Sequence, residues 1–225
     1  MAVTATHLTT AVSDTDATSY TTASISPAAN NLVLVAVYSH DASAPTATPT
    51  LTGAGLTWVQ VGTLTTTGDS QARLTLFRTL SASPGSGALT IDFGGETQNR
   101  CMWSISSFGN VDTSGANGAG AVVQSATNTA SSVTTLTVTL SAFGNTNNAT
   151  YGCLGQNAGT QAITAGTGFT ELGEANSGEF EAIETEWRVD NDTSVNWTTS
   201  ENNLAGIAVE IREGRAGAGM YSFFM

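Results

Sequence analysis

The chain has 225 residues, 40% of them hydrophobic and only 11% charged, so it can build a core while Thr, Ser, Asn and Gln supply most of its surface polarity. Its six basic residues are all Arg and its net charge is −12, a balance that argues against a nucleic-acid partner and against anionic membrane surfaces. No apolar run approaches the roughly 20 residues that span a bilayer, and the first positive side chain is Arg73, so the start lacks the charged region of a secretory signal.

In chain order, the segments read as short strands broken by Gly, Pro, Ser, Asn and Asp clusters. AVTATHLTTA opens the chain and ASIS follows at 23–26. Asn30-Asn31 then leads into the apolar strand LVLVAVY at 32–38, and SHDAS reads as the loop after it. GAGLT at 53–57 marks a tight turn whose glycines allow positive φ or close backbone approach. ARLTLFR at 72–78, TIDF at 90–93 and SISSF at 104–108 complete a first set of strands. DTSGANGAG at 112–120 has the composition of a linker, although the AVVQ strand follows at once.

The later segments repeat the earlier ones in order. AVVQSATNTA answers to AVTATHLTTA and VTLS at 138–141 to ASIS, while Asn147-Asn148 opens ATYGCLG as Asn30-Asn31 opens LVLVAVY. GTGFT answers to GAGLT, AIETEWR to ARLTLFR, SVNW to TIDF and IAVEI to SISSF. The spacing between partners falls from about 119 to about 103 residues, as expected when strands are kept and loops shorten. TLTVTL at 135–140 alternates apolar and polar residues, one face in and one out. The expected fold is all-β: a two-sheet β-sandwich with jelly-roll or Greek-key connections, built from two pseudo-repeated halves at about 2–110 and 121–212. Residues 1–212 are expected to form one domain, with 213–225 as a C-terminal extension.

NNLVLVAV, GAGLTWVQV, LTLFRTLS, ALTIDF and SISSFGNVD, followed by GTGFTEL, ETEWRV, VNW and AGIAVEI, give the chain a pattern. That pattern resembles the jelly-roll-like β-sandwich modules of phage virion and bacterial surface proteins. The resemblance covers about residues 20–212 and implies assembly, display or adhesion more often than chemistry. Within that group, the lack of a signal sequence favours a virion protein over a secreted one.

Chemistry-bearing residues are few. EFEAIETEW at 179–187 places Glu184 and Glu186 on one face of a strand, about 7 Å apart from the strand rise, and paired carboxylates are what glycoside hydrolysis uses. The expected arrangement instead fills the core with Ile183, Trp187 and Val189 and leaves Glu184, Glu186, Arg188 and Asp190 in water. The leucines Leu74 and Leu76 fall opposite these glutamates in the repeat, which implies either a register error of one or a covered surface. Calcium could use the same acids, but there is no contiguous ligand loop, and DNDTS at 190–194 reads as a turn. His7 and His40 read as solvated residues, and Cys101 and Cys153 as small buried hydrophobes or a pair. Trp58, Trp103, Trp187 and Trp197 read as core, with an exposed pair able to stack on a sugar. No cofactor and no metal is expected.

The chain finishes on REGRAGAGMYSFFM, a Gly/Ala spacer followed by Met220, Tyr221, Phe223, Phe224 and Met225. Such a segment folds back, docks on a neighbouring subunit or frays. These five residues are the expected assembly contacts. The expected function is a non-enzymatic structural subunit of a phage virion (capsid decoration, or a tail or fibre component), located in the virion and assembling with itself and other virion subunits through edge strands and this tail. A carbohydrate-binding or adhesion module, extracellular or on a cell surface, is the alternative, and a jelly-roll glycosidase the third.

Overall fold

The computed structural model describes residues 1–42, 46–157, 162–178 and 180–214, and among them the architecture is all-β. The first half contributes β1 (Thr4–Ser13), β2 (Ser19–Thr21), β3 (Leu32–His40), β4 (Thr50–Gly53), β5 (Val59–Thr66), β6 (Asp69–Leu80), β7 (Leu89–Asp92) and β8 (Arg100–Gly109). A short 3-10 turn at Ala116–Gly118 leads to the second half: β9 (Val122–Thr139), β10 (Ala149–Asn157), β11 (Thr170–Asn176), β12 (Glu181–Val189) and β13 (Ser194–Ile211).

The first half forms a five-stranded sheet in the order β1-β8-β3-β6-β5, capped by a three-stranded sheet β2-β7-β4. That is the strand order of a jelly roll, two interleaved Greek keys, with β5 hairpinned onto β6. The second half forms one five-stranded sheet, β9-β13-β10-β12-β11. It is the same order if β9 stands for β1, β13 for β8 and β10 for β3. The small sheet has no separate counterpart, because β9 and β13 are each 18 residues long and continue past the large sheet to cover its outer face themselves. The expected sandwich of two repeated halves is therefore present, with a third, smaller sheet added.

The two five-stranded sheets stack face to face, and they do so with approximate two-fold symmetry. β1 lies on β11 and β5 on β9; β8 lies on β11 and β12, as β13 lies on β5 and β6. These cross-sheet contacts thus come in matched pairs, the pattern of an isologous dimer interface drawn into one chain. The largest core fills this interface, with Leu34, Tyr38, Leu74, Leu76, Tyr151 and Ile207 among its members. Two satellite cores fill the interiors of the two units. Val33, Val35, Val37, Phe77 and Trp103 pack under the small sheet, and Leu136, Val138, Leu154, Val195 and Trp197 pack in the second unit.

Several features of the repeat are locally encoded. Leu56 N–H donates to Gly53 O at 3.2 Å, and Phe169 N–H donates to Gly166 O at 2.9 Å, so GAGL and GTGF make equivalent turns. Gly55 and Gly168 both have positive φ, 62° and 85°, a conformation that glycine adopts without steric cost. Asn31 Nδ2 donates to Ser107 Oγ and Asn148 Nδ2 to Glu210 Oε1, each tying the start of a central strand to its neighbour. The register corrects one pairing, however. Leu34 lies opposite Arg78 and Tyr151 opposite Trp187, so the counterparts of Glu184 and Glu186 are Thr75 and Phe77. Leu74 and Leu76 belong to the inter-unit core and cover no subunit contact.

Candidate functional site

The five residues expected to make assembly contacts, Met220, Tyr221, Phe223, Phe224 and Met225, lie outside the described residues. The last of those, Gly214, follows an isolated bridge between Val111 and Glu213. Around this point a cleft of about 360 Å³ is lined by Val123, Asn145, Asn148, Glu210, Arg212 and Glu213. Asn145 and Asn147 both donate to Glu213 Oε1, at 2.8 and 3.1 Å, and these bonds hold its carboxyl below the usual range. Buried Glu210 accepts from Asn148 at 2.5 Å and Gln124 at 2.6 Å. Sequence reasoning passed over this cleft. Its only local signal was Asn148, whose structural counterpart Asn31 has merely a serine to bond.

The acidic strand departs most from expectation. β12 is covered on both faces. Ile183 and Thr185 are buried toward the first unit, with partly buried Trp187 and Val189 packed beside them, while Ala182, Glu184 and Glu186 turn into the interior of the second unit. Glu184 and Glu186 are 0% exposed, so the expectation that they stand in water is wrong. The strand is sandwiched between two cores, and an outward-pointing side chain meets protein rather than solvent.

Trp197 Nε1 donates to Glu184 Oε2 at 2.6 Å, and the Gly166 N–H donates to Glu186 Oε2 at 2.7 Å. The Oε1 atom of each glutamate is buried without a hydrogen-bond partner. Desolvation raises the Glu184 carboxyl well above its usual range, with Glu186 adding to the effect. Desolvation likewise pushes Glu186 up to about 8. Across the hairpin, Glu171 sits opposite Glu186 and Glu174 opposite Glu184. Glu174 is also raised by burial, although it accepts from the Ile163 N–H. Four carboxyl groups therefore share one face of β11 and β12. Among the described residues no three His, Cys, Asp or Glu side chains converge to hold a metal ion.

Arg188 follows on the same face but is committed elsewhere. Its guanidinium meets Asp190 at 2.5 Å and Asp192 at 2.8 Å, and it lies 5.8 Å from the centre of the Phe169 ring. Asn191 has a positive φ of 55° and Asp192 Oδ1 accepts from the Ser194 N–H, which makes DNDTS the turn its composition suggested.

The remaining candidates are structural in their surroundings. His40 is the last residue of β3 rather than part of a loop, and it lies 3.7 Å from Glu181. Arg100 of β8 donates to the same carboxylate at 2.9 Å, so this cluster joins the two units at one end of their interface. Cys101 and Cys153 are free and buried in different cores, and burial pushes both thiols up, away from the reactive thiolate. None of the four tryptophans is exposed. Trp103 and Trp197 are buried, and Trp58 and Trp187 are half-buried against the cores. Comparison with family models, with curated proteins and with solved structures finds no match for this chain.

Proposed function

We propose that this chain is a structural, non-enzymatic subunit of a phage virion, in capsid decoration or in a tail or fibre, joined to its neighbours through its C-terminal segment. The observation that carries the reading is the jelly-roll strand order of the first unit, repeated in the large sheet of the second; jelly rolls build viral capsid and lectin domains. The link from fold to role is by analogy. A glycan-binding role draws on the same architecture, but none of the four indoles is fully exposed: two are buried and two half-buried against the cores. A glycosidase would need its two carboxyl groups within reach of a substrate, and Glu184 and Glu186 have no exposed surface.

The contacts between copies fall to the tail more than to the edges. Each of the four edge strands of the large sheets carries a register shift: β1 at His7/Thr9, β5 at Gln60/Gly62, β11 at Glu171/Gly173 and β9 where it meets β13. Bulged edges resist edge-to-edge pairing. Met1 and Val123, two of the three large apolar side chains exposed among the described residues, flank Glu213 where the chain leaves the sandwich. Light scattering after size exclusion tests the proposal. The full chain is expected to form an oligomer that falls to monomer when the chain is cut after Gly214. A full chain that stays monomeric, or an oligomer indifferent to the cut, overturns the assembly role of the tail.

A further inference from the structure

The approximate two-fold symmetry supplies an internal control for the buried glutamates. The positions on β6 equivalent to Glu184 and Glu186 are Thr75 and Phe77, which face the interior of the first unit and complete it without a carboxyl group. The second unit carries Glu184 and Glu186 at the same two places, so the fold itself does not call for carboxyl groups there. Both lie under a strap, residues 162–169, whose Gly166 N–H is bonded to Glu186 and whose Ile163 N–H is bonded to Glu174. The strap is further anchored by the pair of bonds between Thr164 and Thr198, at 2.8 and 3.0 Å, and by Arg188, which donates to Thr167 O at 3.2 Å.

Around the pair, the Trp197 and Gly166 N–H groups favour the charged form but are outweighed by desolvation, and no cation faces it. From β10, Gly152 and Leu154 face it; from β13, Val195 and Trp197; from β9, Leu136 and Val138. β11 adds only Glu171 and Glu174, both acidic. Behind the sheet lie Tyr151 and Cys153, whose own ionisation burial opposes. Arg188 is tied to Asp190 and Asp192. An ionised Glu184 or Glu186 would thus be a buried carboxylate with no cation and one unsatisfied oxygen, a state far costlier than the neutral acid.

We propose that Glu184 and Glu186 form a proton-operated latch on the second unit, which holds the strap closed while both carboxyl groups are neutral and opens it when they ionise at alkaline pH. The sign follows from linkage. The closed state holds its protons more tightly than the open state, so closing is fully favoured below the free carboxyl range and weakens as pH rises through the buried range. Between about 4.5, where a free carboxyl titrates, and about 8 for Glu186, the opening constant rises by up to roughly tenfold per pH unit for each group. The latch releases the strap and the core beneath it, while the inter-unit core, which contains neither carboxyl group, stays packed.

Hydrogen exchange on the full chain tests this, read at the Ile163 and Gly166 amides after correction for the intrinsic pH dependence of exchange. From pH 6 to pH 8 the opening constant at these amides is expected to rise about 50-fold from Glu186 alone. Amides of β3 are expected to keep their protection. The E184Q/E186Q variant keeps the acceptor oxygens and removes the titration of the pair, so its strap opening is expected to lose most of its pH dependence, read most cleanly at Gly166, with Glu174 the group that still titrates beside Ile163. Equal pH dependence in the variant and the wild type overturns the proposal. Should the variant fail to fold, carbon NMR of the glutamate carboxyls in the wild type decides. Two carboxyl groups still protonated at pH 6 support the latch, and titration of every glutamate in the ordinary range refutes it.

Discussion

Adding one methyl group at Gly155 tests the stacking of the two units more sharply than any large deletion. Tyr38 and Gly155 hold equivalent places on the central strands β3 and β10, yet they touch each other, which puts them beside the pseudo-two-fold axis. Two tyrosines would collide there and two glycines would leave a hole; one of each fills it. A Cβ at Gly155 would overlap Cδ2 and Cε2 of Tyr38 and come within 2.8 Å of its Cγ. The ring cannot swing away easily, because it is 0% exposed and its hydroxyl is bonded to Thr66 at 3.1 Å. Overpacking of this kind costs about 1–3 kcal/mol, and the rigid ring puts G155A near the upper figure. In a chain of this length, that corresponds to a loss of about 6–12 °C in Tm. Y38L alone is expected to cost about 2–4 kcal/mol through the cavity it leaves. The double variant gives the new methyl room, so urea denaturation is expected to show a coupling of at least about 1 kcal/mol between the sites. Costs that simply add, to within about 0.5 kcal/mol, would refute the packing described.

Two further predictions concern places where the symmetry is broken. Gly62 and Gly173 follow equivalent bulges, but a Cβ at Gly62 meets nothing closer than 3.7 Å, whereas one at Gly173 overlaps Thr10 Oγ1 and lies 2.8 Å from His7 Cε1. G62A is therefore expected to be neutral or to stabilise by up to about 0.5 kcal/mol, and G173A to cost about 1–2 kcal/mol, as read by urea midpoints; equal effects would contradict this. At the end of the interface, Glu181 is 1% exposed and bonded to Arg100 and Ser177. R100M leaves that carboxylate buried without its guanidinium and is expected to cost about 3 kcal/mol, most of it recovered in R100M/E181M. Because the pair is shielded from solvent, the loss is expected to persist in 1 M NaCl, roughly ten times ordinary ionic strength; a loss that vanishes in salt would identify a surface pair.

Much of this molecule is written in local chemistry, which a sequence exposes directly. The turns at GAGL and GTGF and the asparagines that open β3 and β10 act within a few residues or on the adjacent strand, so the recurrence of the motifs reported the recurrence of the structure. Alternation in TLTVTL was likewise legible, since Leu136, Val138 and Leu140 point inward and their neighbours outward. The same rule misjudged β12, because a period of two identifies two faces without saying what lies beyond each. Both faces of β12 meet a core, and only the stacking of one unit on the other, together with the strap and the long strands β9 and β13, buries Glu184 and Glu186. The complementarity of Tyr38 and Gly155 belongs to the same level. Neither residue carries a local sign of the other across 117 positions, and only the two-fold packing of the sheets brings the ring to the gap.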